Sequence, residues 1–424
     1  MIFDLKDGIF FDNEKLYVIR GEKNKREYIE NYDSYPEAIR RHKSATYPTI
    51  IFLSSTMCNL RCQYCFAEAG TYGNHFKSKS FTLEKYKYCY EMTKKLFGGI
   101  KAINFFGGEP LLNFRSIKEF VEYLYGCYQD EEIPELSIAS NGTIMNDAIK
   151  EFLVKYKIDF ATSLDGIKKH NDKFRKGPWI DSVYDLVSST LSELGAVGIK
   201  TGMQFTVTKE HVVGYEKGDV GKWLDEIETL GVDNYSLVAV TSDQAECKID
   251  LNDRVLYENY VTMCNDMADY YLKLLCKGNT CSTNIFPGIL LHIMRREVEI
   301  DCNAGFSISI SPDMQGFPCH VCADDMDCSC RYDEHFLENI RCNQTYMKVY
   351  ETDREHCSMC QKCIAYNVCP YFCKGVQVRR KNDEPDERCL MFQIFVQRAI
   401  VFLATDYHAH ATAVNKAIRM AAGV

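Results

Sequence analysis

Residues 49–65, TIIFLSSTMCNLRCQYC, decide the fold, because an apolar strand there runs directly into three closely spaced cysteines. Five more short apolar segments follow, interspersed with amphipathic helical stretches: AINFFGG, ELSIASNG, IDFATSLDG, KTGMQFTVT and YSLVAVTS. Such strand–helix–strand repeats predict a parallel sheet with right-handed crossovers. Six strands fit within residues 49–242, too few for a closed eight-unit barrel. We therefore predict an α/β fold with a partial (β/α)6 barrel.

The composition excludes several classes of protein. The chain has 424 residues, a formal net charge of −9 and 46% hydrophobic residues, which suits a folded, multidomain chain and not a disordered or fibrous one. Because nucleic-acid binding rests on Lys and Arg releasing counterions from phosphates, the acidic balance argues against a nucleic-acid partner. Residues 1–20 lack the apolar run of a signal peptide, and no apolar stretch of about 18 residues occurs. We expect a cytoplasmic protein with no membrane span.

Cysteine is the unusual residue, with 21 copies. In a reducing compartment, clustered cysteines are more often metal ligands or catalytic thiols than disulfides. Residues 58–65 follow the pattern CxxxCxxC. Three thiolates this close can bind one iron–sulfur cubane and leave its fourth iron free for another ligand. A structural zinc ion is the alternative, although zinc usually takes four closed ligands.

Polar residues follow four successive predicted strands. Because the functional loops of parallel sheets gather at the carboxyl ends of the strands, we expect these residues to share one site. They are Cys58, Cys62 and Cys65 after the first strand, Gly107, Gly108 and Glu109 after the second, Ser140 and Asn141 after the third, and Ser163 and Asp165 after the fourth.

The cysteine pattern, with Tyr64 before its last cysteine, resembles the signature of the radical S-adenosylmethionine (SAM) enzymes. The resemblance covers residues 50–240 and implies a [4Fe-4S] cluster on Cys58, Cys62 and Cys65, whose open iron binds the amino and carboxylate groups of SAM. In that family a reduced cluster donates one electron, and SAM breaks to methionine and a 5'-deoxyadenosyl radical. The protein positions the cofactor and excludes water.

Further motifs of this family occur in the expected order along the chain. By resemblance, Tyr64 and the strand-end residues bind the cofactor, and Arg175 pairs with its carboxylate, a task suited to a bidentate guanidinium. The implied contacts are the amino group of SAM for Gly107, Gly108 and Glu109, the ribose for Ser140 and Asn141, and the next cofactor loop for Ser163 and Asp165.

A second cysteine pattern lies in residues 302–389, where regular periodicity fades. Its spacing, CxxCx5CxxxC with a later cysteine, resembles the SPASM auxiliary-cluster domain, which implies two further [4Fe-4S] clusters and three in all. The resemblance assigns the cluster farther from the active site to Cys360, Cys363, Cys369 and Cys389, and the nearer one to Cys302, Cys319 and Cys373. The fourth ligand of the nearer cluster stays open between Cys322, our first choice, Cys357, and an iron left free for a substrate thiolate. A zinc ribbon is the alternative. Met314 stands where the family pattern has a glycine.

The combination of these two patterns favours a peptide substrate. Residues 66–73, FAEAGTYG, and 317–320, FPCH, resemble maturases that form thioethers in cysteine-rich ribosomal peptides, the ranthipeptide and sactipeptide enzymes. The implied partners are a ribosomal precursor peptide and an electron donor such as ferredoxin or flavodoxin. Anaerobic sulfatase-maturating enzymes usually carry an aspartate base where this chain has His320, which disfavours that function. His320 is a candidate catalytic proton acceptor, and the alternative, which we favour, is a structural role as a hydrogen-bonding residue near the cluster. An enzyme that forms carbon–carbon cross-links in peptides and a non-enzymatic zinc-binding scaffold also stay open.

The predicted order of domains begins with a small N-terminal module. A turn signal at Asp12-Asn13, between two apolar segments, predicts a hairpin. The hairpin resembles the start of the domain that captures a leader peptide by strand addition. The module is shorter than that domain, so we expect a truncated or divergent version, and binding of the leader by a separate protein or another surface stays open. The predicted regions are the module at 1–48, the partial barrel at 49–245, a helical linker at 246–300, the SPASM-like domain at 301–395 and a C-terminal helix at 396–424.

Overall fold

The N-terminal module is a three-stranded antiparallel sheet followed by a helix. The computed structural model describes residues 1–40, 47–242, 244–279, 283, 285–299, 302, 304–370, 372–380 and 384–421. The module comprises β1 (Ile2–Leu5), β2 (Ile9–Asp12), β3 (Tyr17–Arg20), α1 (Glu22–Glu30) and β4 (Ile39–Arg40). Strands β2 and β3 form the predicted hairpin at Asp12-Asn13, and β1 pairs with the free side of β2.

Six parallel strands form the centre of the molecule, in the spatial order β10-β9-β8-β7-β6-β5. The strands are β5 (Thr49–Ser55), β6 (Ala102–Gly107), β7 (Glu135–Ala139), β8 (Asp159–Ser163), β9 (Thr201–Val207) and β10 (Asn234–Ala239). The helices among them are α2 (Leu83–Phe97), α3 (Phe114–Cys127), α4 (Asp147–Lys155), α5 (Lys168–Phe174), α6 (Val183–Ala196), α7 (Lys209–Val212) and α8 (Asp219–Glu228). The predicted α/β architecture is confirmed.

Helix α2 illustrates how the local sequence builds this layer. The Thr82 side chain accepts a hydrogen bond from the Lys85 N–H at the first turn, and the helix ends at Gly98 in the left-handed conformation, φ 80°. Its buried face packs on the outer side of the sheet, where Ile103 and Phe105 of β6 are fully buried. The opposite side of the sheet is therefore left to line a cavity.

The rest of the chain adds long helices and short strands. These are α9 (Arg254–Cys276), α10 (Ile285–Arg295), β11 (Glu297–Val298), β12 (Ser307–Ile310), β13 (Gln315–Phe317), β14 (Cys330–Arg331), α11 (Phe336–Cys342), α12 (Gln344–Glu351), α13 (Ser358–Gln361), α14 (Lys374–Gln377), α15 (Glu387–Thr405) and α16 (Tyr407–Ala421). Strand β12 pairs in parallel with β5, and β13 and β14 extend the sheet to nine strands. The cysteine-rich segment is thus joined to the central sheet, which its irregular sequence did not predict.

The turn between β12 and β13 contains Met314, at the position where the family pattern has a glycine. Met314 adopts the left-handed conformation, φ 60°, that usually favours glycine. The turn still closes, because the Met314 N–H donates to the Ser311 carbonyl at 2.9 Å. Cys319 therefore follows closely on a paired strand.

Helix α15 runs through the predicted boundary between residues 395 and 396 and carries Cys389. By length and composition alone it is the one helix among the described residues that passes as a membrane span, and half of it is buried inside the protein. Phe395 packs on Phe286 of α10, with ring centroids 4.9 Å apart. Such burial is what a core helix shows.

Candidate functional site

A cavity of about 400 Å³ opens where the six parallel strands end. It also reaches down the inner face of the sheet to Gly202 and Asn234 at the start of β9 and β10. Most of the predicted site residues line it: Cys58, Cys62, Tyr64, Cys65, Gly107, Gly108, Ser140, Asn141, Ser163 and Arg175. Glu109 and Asp165 lie behind its wall, almost fully buried.

The loop of residues 58–65 is held by main-chain hydrogen bonds to the end of α5 and the chain just after it. The Arg61 N–H donates to the Lys176 carbonyl at 2.6 Å, and the Gln63 N–H donates to the Phe174 carbonyl at 3.0 Å. These bonds fix the loop between its cysteines. The thiols consequently face the cavity without help from a bound group.

Donors surround the thiols of this loop. The Leu60 N–H donates to Cys58 Sγ at 3.3 Å, and Asn141 Nδ2 donates to the same sulfur at 3.6 Å. Burial raises the pKa of Cys62 to about 11, while the nearby Arg175 guanidinium opposes that rise. Metal binding displaces the thiol proton, so such donors favour the thiolates that a cluster needs.

Two glycines form the wall of the cavity next to these thiols. A Cβ on Gly107, φ 130°, would lie 2.4 Å from the Ser55 carbonyl oxygen, and one on Gly108 would lie 2.5 Å from the Met57 carbonyl oxygen. Any side chain at either position would collide with backbone. Glycine is required here by the protein's own packing, and the main chain is left open to a ligand.

Glu109 links the loops after β6 and β7. Its carboxylate accepts hydrogen bonds from the Asn141 N–H at 2.7 Å, from Ser140 Oγ at 2.9 Å and from the Leu111 N–H at 2.9 Å. Burial raises the pKa of Glu109 to about 7, and these hydrogen bonds oppose the rise. The structure thus gives Glu109 a positioning role that the motif alone did not indicate.

Tyr64, Asp165 and Arg175 form a buried chain beside the cavity. The Tyr64 hydroxyl donates to the Asp165 carboxylate, and Arg175 Nη1 donates to the Tyr64 oxygen at 3.1 Å. The other Asp165 oxygen accepts from the Thr206 N–H at 3.1 Å. Asp165 is therefore occupied by the protein's own donors, and it orients Tyr64.

Two unpaired polar atoms test whether the cavity suits the implied cofactor. Arg175 Nε and Thr162 Oγ1 are buried without a hydrogen-bond partner, and both residues line the cavity. Unpaired buried donors are costly unless a ligand satisfies them. Three thiols, an open main-chain edge and these two groups fit an iron–sulfur cluster with an amino-acid cofactor beside it.

The four cysteines predicted to hold the farther cluster, which we call the distal group, line one small cavity: Cys360, Cys363, Cys369 and Cys389. Gln393 Nε2 donates to Cys363 Sγ at 3.4 Å, and Arg380 Nη2 donates to Cys389 Sγ at 3.6 Å. Cys357, the second choice for the nearer cluster, lies here instead, because its thiol is hydrogen-bonded to Cys360.

The cysteines predicted to hold the nearer cluster, Cys302, Cys319, Cys322 and Cys373, also come together, and we call them the proximal group. Cys322 belongs to a packed cluster that Cys302 and Cys319 contact. A hydrogen bond from Cys373 lowers the pKa of Cys302. The sequence did not indicate that Cys328 joins them, yet it is buried in the same cluster.

His320 lies between the proximal group and the cavity. Its ring centroid is 4.7 Å from that of Phe106 and 5.8 Å from that of Phe66, and both phenylalanines line the cavity. On its other side, Nδ1 lies 3.7 Å from Cys319 Sγ. Burial lowers the pKa of His320 to about 4, which keeps the imidazole neutral.

The remaining cysteines give no sign of bridging. All 20 cysteines in the described part of the chain are free thiols, and Cys281 lies outside it. Among the described residues, no three His, Cys, Asp or Glu side chains converge on a point that would hold a single metal ion. A tetrahedral zinc site, with sulfur about 2.3 Å from the metal, needs such convergence.

Comparison with known proteins identifies the domain around the cavity. Residues 52–213 match the Radical SAM superfamily. The chain is 24% identical over 348 residues, 78% of its length and 87% of the other, to a cysteine-type anaerobic sulfatase-maturating enzyme of Clostridium novyi (strain NT). Among solved structures it resembles anSMEcpe with bound AdoMet, with a TM-score of 0.68 and 18% identity over 87% of this chain and 98% of that one. It also resembles Streptococcus suis SuiB bound to the precursor peptide SuiA, with a TM-score of 0.54 and 17% identity over 87% and 82% of the two chains.

At these identities the solved structures establish a shared fold. The matched region contains the loop of residues 58–65, both glycines, and Arg175. Radical SAM domains use a [4Fe-4S] cluster together with SAM, the pair of groups that the cavity fits. Residues 52–213 therefore form a domain of the Radical SAM superfamily, and the protein is an enzyme.

Proposed function

We propose that this enzyme modifies a ribosomally made peptide by forming a thioether between a cysteine sulfur and a carbon of another residue. When bound, SAM and its cluster would supply a carbon radical that takes a hydrogen atom from a C–H bond, and an auxiliary cluster would accept one electron. With release of the thiol proton, one C–S bond then replaces one C–H bond and one S–H bond. The observation that carries the proposal is the position of His320, which contacts both the cavity wall and the proximal group.

The protein's own residues have three tasks in this reaction. Glu109 and Asp165 fix the loops that line the cavity, Arg175 presents an unpaired buried donor, and Phe66 and Phe106 contact the His320 ring at the cavity wall. The cavity wall opposite the thiols is lined by small residues, including Ala139, Ala161 and Gly202. Such a wall leaves room for a side chain of a peptide to approach the site.

Two structural neighbours support a peptide substrate. SuiB was solved with its precursor peptide SuiA, and anSMEcpe was solved with the Kp18Cys peptide. In this chain, we propose that the three-stranded N-terminal sheet contributes to leader binding through its edge strand β1, by strand addition. A cytoplasmic location and a ferredoxin or flavodoxin as electron donor belong to the same proposal.

Sulfatase maturation is the second candidate, favoured by the match over 87% of the Clostridium novyi enzyme. Both reactions begin with hydrogen abstraction from a peptide side chain or backbone carbon. They differ in the product, because a thioether keeps the sulfur, whereas conversion of the cysteine to an aldehyde loses it.

The test offers both kinds of peptide to the reconstituted enzyme under anaerobic conditions, with SAM and a reductant. One peptide is a short cysteine-rich precursor of the ranthipeptide or sactipeptide kind, and the other carries the active-site cysteine of a sulfatase. We expect the first peptide to lose two hydrogens and one free thiol per link, as measured by mass spectrometry and thiol alkylation. An aldehyde on the second peptide, without change in the first, would assign sulfatase maturation instead.

A further inference from the structure

Cys328 lies among the thiols of the proximal group, although the cysteine spacing that resembles SPASM does not include it. Its side chain is 2% exposed and packs in one cluster with Cys322, Ala304 and Val349. Cys302 and Cys319 contact the same cluster. With Cys373, which is hydrogen-bonded to Cys302, five cysteine thiols therefore meet in this part of the molecule.

The five thiols are arranged as two pairs around Cys319. Cys302 is hydrogen-bonded to Cys373, and the Lys374 N–H donates to Cys302 Sγ at 3.3 Å. Cys322 is hydrogen-bonded to Cys328. Cys319 is close enough to interact electrostatically with both Cys302 and Cys322.

Two consecutive single-turn helices present the second pair. Cys322 ends the turn His320–Cys322, and Cys328 ends the turn Met326–Cys328. Arg379 holds the segment between them by donating to Asp324 at 2.5 and 3.2 Å. Gly375 leaves the space beside Cys322, since a Cβ there would lie 3.2 Å from Cys322 Sγ. Both thiols thus lie in the one packed cluster that Cys319 contacts.

A [4Fe-4S] cluster takes four thiolates, and Cys302, Cys319 and Cys373 account for three of them. We propose that Cys322 and Cys328 both serve the fourth iron of this cluster, so that either thiolate can bind it and no iron is left open to a substrate. The thiol that is not bound has a resting partner, because Cys328 Sγ lies 3.9 Å from the Thr345 carbonyl oxygen.

This inference rests on the proposed function, because only that function requires a cluster at the proximal group. It adds one point about how the substrate is held. A cluster ligated in full by the protein accepts an electron but does not hold the substrate thiolate. The peptide cysteine must then be positioned by the cavity and His320 alone.

The test compares Cys322→Ser, Cys328→Ser and the double variant with the wild-type holoenzyme, without peptide. The matched control is Cys330→Ser, a buried cysteine of the same segment whose sulfur accepts from Asn343. The readouts are iron and acid-labile sulfide per chain, and the paramagnetic spectrum of the reduced protein before and after addition of 2-mercaptoethanol, a small thiol that binds an open iron. All samples contain excess SAM, which occupies the open iron of the cluster on Cys58, Cys62 and Cys65, so that a response to the added thiol reports on the auxiliary clusters.

We expect the wild type, the control and both single variants to keep their full iron content and an unchanged spectrum with the added thiol. Only the double variant should respond, by a spectral shift or by loss of about four irons per chain. A response of the wild type would show an open iron and overturn the inference, as would a response of either single variant or none of the double variant. Because no peptide is present, failure of thioether formation would leave these results intact.

Discussion

The loop of residues 58–65 and the segment of residues 302–389 both carry cysteines, but they hold them in different ways. The loop extends from strand β5 of a parallel sheet and is tied to the chain at the end of α5. In the segment, the strands and helices that precede α15 are short, between two residues in β14 and eight in α12. Elements of that length are not stable alone in water. In the first region the fold arranges the thiols, whereas for the second we propose that the thiols and the clusters they would bind arrange much of the fold.

A few buried polar side chains support the second region. Arg354 donates to the carbonyls of Tyr366 at 2.6 Å and Cys369 at 2.8 Å. From the N-terminal module, Asn13 Nδ2 donates to the Cys363 carbonyl at 2.8 Å, and Asn367 Nδ2 returns a bond to the Asn13 carbonyl at 2.9 Å. These bonds join the distal group to the β2–β3 turn, so the module supports the distal group in addition to its proposed role in leader binding.

Replacing Cys58, Cys62 and Cys65 together with alanine should have the largest effect on activity. Formation of 5'-deoxyadenosine should be abolished, because no ligand of the SAM cluster remains, while iron falls by only about four per chain. The signals of the auxiliary clusters should persist, since the two regions bind their groups independently. Chromatography of the nucleoside and iron analysis measure both effects. Cleavage of SAM at the wild-type rate would contradict the assignment of the site.

Removing all iron should destabilise the second region and leave the first region folded. After chelation under anaerobic conditions, we expect limited proteolysis to cut within residues 302–389, because metal-organised segments unfold without their ligands. Residues 49–242 should stay protected by the buried core of the parallel sheet. The alanine variant of the triad, untreated with chelator, is the matched control and should be cut in neither region. Equal cleavage of the chelated protein in both regions would mean that the sheet, too, depends on a bound group.

The same contrast explains what the sequence could predict. Regular alternation of strands and helices predicted the six parallel strands, and the spacing of cysteines grouped the distal set. Pairing of β12 with β5 depends on contacts between residues far apart in the chain, which no local pattern reports. Cys328 reaches the proximal group through two successive turns, so its spacing matched no motif.

Glu109 and Asp165 show a further limit of the sequence. Their positions after strands marked them as part of the site, but which donors they meet depends on the neighbouring loops. Both carboxylates prove to be satisfied by the protein itself. A motif identifies the residue types at a site more readily than it separates the ligand-binding residues from those that position them.

Tyr64→Phe should weaken SAM binding moderately. The variant tests whether the protein's own hydrogen bonds arrange the first region for SAM. The change removes the hydroxyl that joins Asp165 to Arg175. We expect the dissociation constant of SAM to rise about tenfold, a loss of ~1.4 kcal/mol. Equilibrium binding to the reconstituted protein measures it. Tyr184→Phe, which removes a hydroxyl bonded to Glu226 at the surface, is the control and should bind SAM as the wild type does.

The smallest predicted effect is a loss of folding stability at lower pH, caused by a buried histidine in the core of the first region. His170 is 3% exposed and packs edge-on against Trp223, with ring centroids 4.5 Å apart. Burial, with a smaller contribution from Lys169, lowers the pKa of His170 from 6.5 to about 4. The unfolded chain therefore takes up a proton at a higher pH than the folded chain, and stability is lost as the pH falls below 6.5. Between about pH 7.5 and about pH 6 the loss should be about 0.8 kcal/mol.

Unfolding followed by Trp223 fluorescence measures this loss, since the ring contacts His170 directly. His170→Leu should reduce the pH dependence in that range by about 0.8 kcal/mol relative to the wild type. The buried His211 and His320, whose pKa values burial also lowers, keep their own contributions. His408→Leu, at an exposed position, should keep the full dependence. The matched comparison cancels any acid sensitivity of the clusters, because both variants keep every cysteine. If the His170 variant lost as much stability as the wild type, the neutral imidazole buried against Trp223 would not be a source of the acid sensitivity, and the lowered pKa assigned to His170 would be wrong.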